Sequence, residues 1–229
     1  MTSPAAVLFD MDGTLVDTEV LWWNTADEIA AGLGHRLTGA DAPEVVGRAV
    51  ADTAAHLVRV AGTGSRERVA AELAGSFFRR VEAGAPLRPG ARRLLAELER
   101  AEVPFALVSA SPRAVVDSVV AGSLADVRFA FTLSADDTVR TKPHPDPYRA
   151  AAERLGVGTG ACVAVEDSPD GSASAQAAGC VVLVVPSLLP VDPAAGRYFA
   201  QSLEEVDLRV LRDCARGGPD AGTRGPFGE

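Results

Sequence analysis

The chain is short of several residue types at once. Its 229 residues include 3 cysteines, 3 histidines and 5% aromatic side chains, and of 22 basic residues a single one, Lys142, is lysine. Cys162, Cys180 and Cys214 are far apart and odd in number, which excludes a zinc pattern and a disulfide framework and makes a reducing, cytoplasmic setting the expectation. No apolar run reaches the ~18 residues of a membrane span. No basic region precedes the first apolar run, so no signal peptide is expected. Acidic residues outnumber basic ones 31 to 22, for a net charge of −9, which argues against nucleic acid and its need for clustered basic surface. A small phosphorylated partner stays open, because a bound cation can invert the local field.

What is present is a globular chain, 47% hydrophobic and 23% charged, long enough for one domain or a domain with an insert. Ala5–Phe9 is a short apolar run that stops at a polar turn, as a buried parallel strand does. Similar runs recur at Pro104–Val108, Cys162–Val165 and Val181–Val185, with Phe129–Leu133 a weaker one. Helical spacing fills Ala91–Ala101, Ala114–Val120, Pro147–Leu155 and Asp170–Ala178. Strands alternating with helices predict an α/β fold, a Rossmann-like parallel sheet with helices on both faces. From Asp17 to Ala85 the rhythm breaks into amphipathic segments alone (Leu21–Leu33, Ala51–Val60, Arg66–Glu82). That stretch reads as an inserted helical subdomain over the sheet edge where ligands bind in open α/β folds. The expected boundaries are 1–16 with 86–215 for the sheet core, 17–85 for the insert, and 216–229 for a Gly/Pro-rich, flexible tail.

Four polar clusters follow the strands. Asp10-Met11-Asp12-Gly13-Thr14 places two carboxylates two residues apart, suited to a nucleophile and a proton carrier beside a cation; an Asx turn leaving a strand is the lesser alternative. Ser109-Ala110-Ser111-Pro112 offers a hydroxyl and turn amides to an anion, while Ser111 before Pro112 reads as a helix N-cap. Thr141-Lys142-Pro143-His144-Pro145 holds the lone lysine on a stiff, proline-rich backbone. A compact ammonium among arginines points to a point-charge contact with phosphate or carboxylate, and His144 reads as turn structure. Glu166-Asp167-Ser168-Pro169-Asp170-Gly171 carries acids that favour a helix start and also suit Mg²⁺.

In this order the four clusters resemble the motifs of the haloacid dehalogenase superfamily of phosphohydrolases, whose helical cap is inserted after the first strand. The resemblance spans roughly Val7 to Val185. It implies that Asp10 attacks phosphorus to form an aspartyl-phosphate, and that Asp12 protonates the leaving group and later takes a proton from water. It implies Mg²⁺ held by the Asp10 carboxylate, the Asp12 carbonyl and Asp167, with Glu166 bound directly or one step behind. Ser109, the Ala110 N–H and Lys142 would hold the phosphoryl oxygens.

Within the superfamily, Asp12 argues against dehalogenation, and the lack of a second lysine excludes Schiff-base chemistry on a cap lysine. A β-phosphoglucomutase-type phosphotransferase is the alternative; its cap histidine, expected near Trp22, and its cap lysine are absent. A non-catalytic phospho-ligand binder would have lost one of Asp10, Asp12 or Asp167. Asp17-Thr18-Glu19-Val20-Leu21-Trp22 and Val46-Gly47-Arg48 look more like the sugar-phosphate phosphatases of this group, such as 2-deoxyglucose-6-phosphatase. The expectation is therefore an Mg²⁺-dependent phosphomonoesterase for a small sugar or polyol phosphate, monomeric or weakly dimeric. Glu19, Trp22 and Arg48 are the candidate specificity residues, although Trp22 and Trp23 also read as core packing.

Overall fold

A computed structural model describes residues 3–217. The chain divides into two compact units, one running through Val16 and resuming at Leu87, the other being Asp17–Pro86. In the larger unit β1 (Ala6–Phe9), β2 (Phe105–Val108), β3 (Thr132–Leu133), β4 (Cys162–Glu166), β5 (Val181–Val184) and β6 (Arg197–Phe199) form one sheet in the order β3-β2-β1-β4-β5-β6. Every pairing is parallel, with Val7 beside Phe105 on one side and Val163 on the other. β1, β2 and β5 are each four apolar, fully buried residues, the run length and character that a strand covered on both faces demands. The order reverses between β1 and β4, so the carboxyl ends of these two strands flank the switch point at which open α/β sheets bind ligands.

Helices α1 (Thr18–Gly32), α2 (Ala42–Val45), α3 (Val50–Ala61) and α4 (Arg66–Ala83) make up the smaller unit; α5 (Ala91–Arg100), α6 (Arg113–Ala121), α7 (Asp146–Leu155), α8 (Pro169–Ala178) and α9 (Leu208–Gly217) belong to the larger. Residues of α7 and α8 share one core with Leu8, Ala106, Val108, Ala164 and Val182. No described helix is long and apolar enough to cross a membrane.

Several local expectations change. Pro86 falls with the helical unit, where its carbonyl accepts from the Asp17 amide at 2.8 Å. α2, β6 and α9 are additional elements, and the strand expected over Phe129–Leu133 is confined to Thr132–Leu133. Arg216 and Gly217 extend α9 rather than open a tail; the rest of that tail, 218–229, lies outside the described residues. Ser111 is not a cap. Pro112 takes the N-cap position of α6 without a side-chain bond, and Asp136 Oδ2 accepts from the Arg113 amide at 2.7 Å instead.

The helical unit has its own core, built from Ala26, Ile29 and Ala30 of α1, Val45 of α2, Ala54 and Leu57 of α3, and Val69 and Leu73 of α4. Trp22 and Trp23 pack against it. Asp41 knits the start of α2 to α3. Its Oδ2 accepts from the Thr38 amide at 2.9 Å and the Thr38 hydroxyl at 3.0 Å, and its Oδ1 lies 2.9 Å from His56 Nε2. Arg59 donates to His56 Nδ1 at 2.7 Å. A guanidinium can only donate, so Nδ1 accepts and the imidazole proton sits on Nε2, facing Asp41.

Two stability outcomes follow from this packing. Thr53 is fully buried and its hydroxyl has no hydrogen-bond partner, so the isosteric Thr53→Val removes an unsatisfied group and is expected to gain about 1 kcal/mol in urea denaturation. The Thr38 amide, with help from His56, lowers the Asp41 pKa from 3.8 to about 2 against the opposing effect of burial. A carboxyl depressed on folding stabilises the fold above its unfolded pKa and loses that contribution as pH falls through the folded one. The stability gap between the wild type and Asp41→Asn is therefore expected to be full at about pH 6 and to close between about pH 4 and 2.

Candidate active site

The chain leaves β1 through a tight turn. Gly13 N donates to the Val16 carbonyl at 2.8 Å, and the amides of Leu15 and Val16 both return to Met11 O. Gly13 sits at φ +83°, and a Cβ there would lie 2.1 Å from Asp167 Oδ2. A glycine is thus required twice, for a left-handed backbone and for the close approach of an acid from the neighbouring strand. The turn sets Asp10 at the end of β1 and Asp12 two residues beyond, as the sequence pattern required.

β4 contributes the other acids. Glu166 is its last residue and Asp167 follows; both are buried, as is Asp10. Among the described residues, Asp10, Glu166 and Asp167 form a cluster whose ligand oxygens all lie within 4.8 Å of one another. α8 begins directly behind them. Ser168 caps it by accepting from Gly171 N at 3.2 Å and donates in turn to Glu166 Oε2 at 3.3 Å. A Cβ on Gly171 would stand 2.0 to 2.1 Å from the Glu166 carboxylate, so this helix turn packs its backbone against the acid.

Lys142 brings the only ammonium to this nest. Its Nζ donates to Asp10 Oδ1 at 2.7 Å and to Glu166 Oε1 at 2.6 Å, and it lies 5.1 Å above the centroid of the Tyr148 ring. The lysine stands on a pinned loop. Arg140 makes two bonds of 2.9 Å to Asp146, the His144 carbonyl accepts from Ser174, and the Lys142–Pro143 peptide is cis. Burial by itself would lower the lysine pKa, but the charges of Asp10 and Glu166 outweigh it and hold the ammonium above the ordinary lysine value. Burial pushes the Glu166 carboxyl up, and Lys142 opposes that shift.

The two oxygens of Glu166 are fully engaged. Oε1 accepts from Lys142 and from the Tyr148 phenol at 2.5 Å, and Oε2 accepts from the Asp167 amide and the Ser168 hydroxyl, each at 3.3 Å. Asp10 is different. Its Oδ1 is held by Lys142, whereas its Oδ2 is buried with no hydrogen-bond partner, as is the nearby motif hydroxyl Thr14 Oγ1. On the β2 side both motif serines turn to one oxygen of Asp12, Ser109 at 3.2 Å and Ser111 at 2.8 Å. Ala110 is exposed, and its amide makes no hydrogen bond among the described residues.

Two of the three buried carboxylates thus share one ammonium and the third lies in the same cluster, and buried negative charge is costly unless a cation or a set of donors offsets it. The donor set is all hard oxygen, as Mg²⁺ prefers, and the unpartnered Asp10 Oδ2 faces no competing donor. These residues fit a divalent cation.

Lys142, Asp10, Glu166 and Asp167 are therefore brought together in one set, and Asp12 and Ser109 with Ser111 in a second, both within the larger unit. Glu19, Trp22 and Arg48 belong to the helical unit. Glu19 is half-buried in the first turn of α1, the Trp22 indole donates to Val45 O at 2.8 Å and meets Phe77 edge-on at 5.4 Å, and Arg48 Nε donates to Pro43 O at 2.9 Å. Sequence reasoning missed Tyr148, the role of Ser111 on Asp12, and Ser187, which donates to Asp167 Oδ2. Of these, Tyr148 had a usable signal, since a tyrosine on a buried helix face must find a partner for its hydroxyl.

The family model described as haloacid dehalogenase-like hydrolase matches residues 4–179. Hexitol phosphatase B of Escherichia coli is 34% identical over 188 residues, covering 80% of this chain and 83% of that protein. The plasmid-borne protein CbbY of Cupriavidus necator is 33% identical over 211 residues, with 80% and 78% covered. Among solved structures, CbbY from Rhodobacter sphaeroides in complex with phosphate superposes with a TM-score of 0.69 at 26% identity, covering 89% of this chain and 96% of that one.

Gly171→Ala tests how tightly α8 is set against Glu166. The added methyl has no space, and the substitution is expected to cost about 1–3 kcal/mol of stability as an overpacked site. Urea denaturation measures that loss; a variant as stable as the wild type would refute the packing.

Proposed function

The chain belongs to the haloacid dehalogenase-like hydrolases, and on that premise we propose that it is an Mg²⁺-dependent phosphomonoesterase that hydrolyses a small sugar or polyol phosphate through an aspartyl-phosphate. The observation that carries this reading is Asp10, a buried carboxylate gripped through Oδ1 by Lys142 with Oδ2 left unpartnered. A carboxylate held in that way presents one bare oxygen in a fixed direction, as a nucleophile must.

Asp10 Oδ2 attacks phosphorus in line, forming a bond to phosphorus as the bond to the leaving alcohol oxygen breaks. Asp12 gives the departing alkoxide its proton. It then accepts a proton from the water that attacks the aspartyl-phosphate, which releases inorganic phosphate and restores both carboxyl groups to their starting states. The Ser111 hydroxyl, on Asp12 Oδ2, holds that carboxyl in one orientation, while the single Ser109 proton, on the same oxygen in the free protein, turns to the phosphoryl group when substrate binds. Lys142, Ser109 and the uncommitted Ala110 amide supply donors to the equatorial phosphoryl oxygens. Asp10, the Asp12 carbonyl and Asp167 would hold Mg²⁺, which supplies charge neutralisation for the phosphoryl group. Glu166, with four donors already on it, serves Lys142 instead of the cation.

The substrate class draws on the relatives, one of which is a hexitol phosphatase at 34% identity. The single lysine of the chain sits in this site, which leaves none for the cap contact of a mutase. Glu19, Trp22 and Arg48 are proposed to select the alcohol.

The reading is tested by phosphate release from a panel of hexose, hexitol, nucleotide and phosphoglycolate monoesters, with and without Mg²⁺. Release from a hexose or polyol phosphate that requires Mg²⁺ and falls by at least about 10⁴-fold in Asp10→Asn is the expected outcome. Conversion of β-glucose 1-phosphate to the 6-phosphate without phosphate release would overturn hydrolysis in favour of phosphoryl transfer between hydroxyls.

A further inference from the structure

Tyr148 belongs to none of the four motifs, yet the acid nest closes on it. It sits in the first turn of α7, fully buried, within the core shared by Leu8, Ala106 and Ala164. Packing alone does not call for a tyrosine there. A phenylalanine would fill the same volume without carrying a hydroxyl into the interior, where a polar group needs a partner. The partner is Glu166 Oε1, at 2.5 Å.

That oxygen is also one of the two anchors of Lys142, the other being Asp10 Oδ1. The bonds on Glu166 Oε1 are short, 2.5 and 2.6 Å, whereas those on Oε2 are both 3.3 Å. The orientation of the carboxylate is thus set mainly at Oε1, by one neutral donor and one charged donor. Take the phenol away and Lys142 becomes the sole short anchor of Glu166. The carboxylate is then free to rotate toward the ammonium and draw it away from Asp10. Tyr148 also meets Lys142 directly through its ring face, 5.1 Å from Nζ, a cation–π contact that confines the same ammonium from a second side.

We infer that Tyr148 is a positioning residue for phosphoryl binding: its hydroxyl fixes Glu166, and through Glu166 it keeps the Lys142 ammonium beside Asp10. The inference rests on the reading of this site as a phosphoryl site.

The test is Tyr148→Phe, which keeps the ring and removes only the hydroxyl, alone and combined with Lys142→Met. Binding of inorganic phosphate to the Mg²⁺-loaded proteins is measured by calorimetry and by the phosphate-induced rise in Tm, which also reads weak binding. Tyr148→Phe is expected to weaken phosphate about tenfold, the scale of one charge-assisted hydrogen bond, with Mg²⁺ affinity unchanged. In the Lys142→Met background the same substitution is expected to cost no phosphate affinity, because the group it positions is gone. Unchanged phosphate affinity in Tyr148→Phe, an equal loss in both backgrounds, or a wild type that binds no phosphate would each overturn the inference. A wild type that binds phosphate and hydrolyses no monoester would end the phosphomonoesterase reading and leave the role of Tyr148 to be judged by binding alone.

Discussion

The ammonium of Lys142 is the hinge of the whole arrangement. It is the one lysine in the chain, and it lies buried between Asp10 and Glu166 with Asp167 in the same cluster. Removing the positive member of such a group leaves buried charges without compensation, at a cost of several kcal/mol. Much of the nearby sequence can be understood as keeping that ammonium in place. Gly171 lets α8 close on Glu166, Ser168 both caps the helix and donates to the acid, and Arg140 locks the lysine loop onto the start of α7. An arginine at 142 would keep the charge but replace a compact donor with a planar fork too wide for the space between two carboxylates.

The sheet and its polar strand ends were legible because the physics behind them is local. Four apolar residues bounded by polar turns have the length and character of a strand covered on both faces, and β1, β2 and β5 are that. β6 escaped because Arg-Tyr-Phe carries neither alternation nor an apolar run; what defines it is its pairing with β5 over Val182–Val184. Ser111 was misread for a similar reason. Its position before a proline suits a cap, and only the fold reveals that Asp136 satisfies the helix end and frees the serine hydroxyl for Asp12. Tyr148 is core, packed in one cluster with Ala151 and Ala152. Its hydroxyl acts on a residue 18 positions away, a relation that periodicity does not encode.

The helical unit shows where sequence reading reaches its limit. Trp22 and Arg48 were picked out by their setting, but the Trp22 indole N–H and Arg48 Nε already serve Val45 O and Pro43 O, two carbonyls of α2. Both side chains therefore stiffen the short helix and its flanks. A stiffened loop is also how a site acquires selectivity, since contacts made by a preorganised group lose little entropy on binding. The Asp41–His56–Arg59 chain ties the start of the same segment to α3.

The two acids nearest Lys142 are chemically alike and structurally opposite, and their roles follow from that difference. Glu166 accepts four hydrogen bonds, two on each oxygen; its lone pairs are committed, which makes it a poor nucleophile and a good anchor. Asp10 accepts on one oxygen and leaves the other buried and bare. A buried acceptor without a partner costs about 1–3 kcal/mol, and a fold built only for stability would have supplied a donor. Here the neighbouring hydroxyls of Ser109 and Ser111 are turned to Asp12 instead. The unsatisfied oxygen is thus a local destabilisation that the rest of the core offsets, and under the proposed reaction it would be relieved when an electrophilic phosphorus arrives. On that reading, the reactivity proposed for Asp10 would come from what the surrounding residues withhold from it as much as from what Lys142 provides.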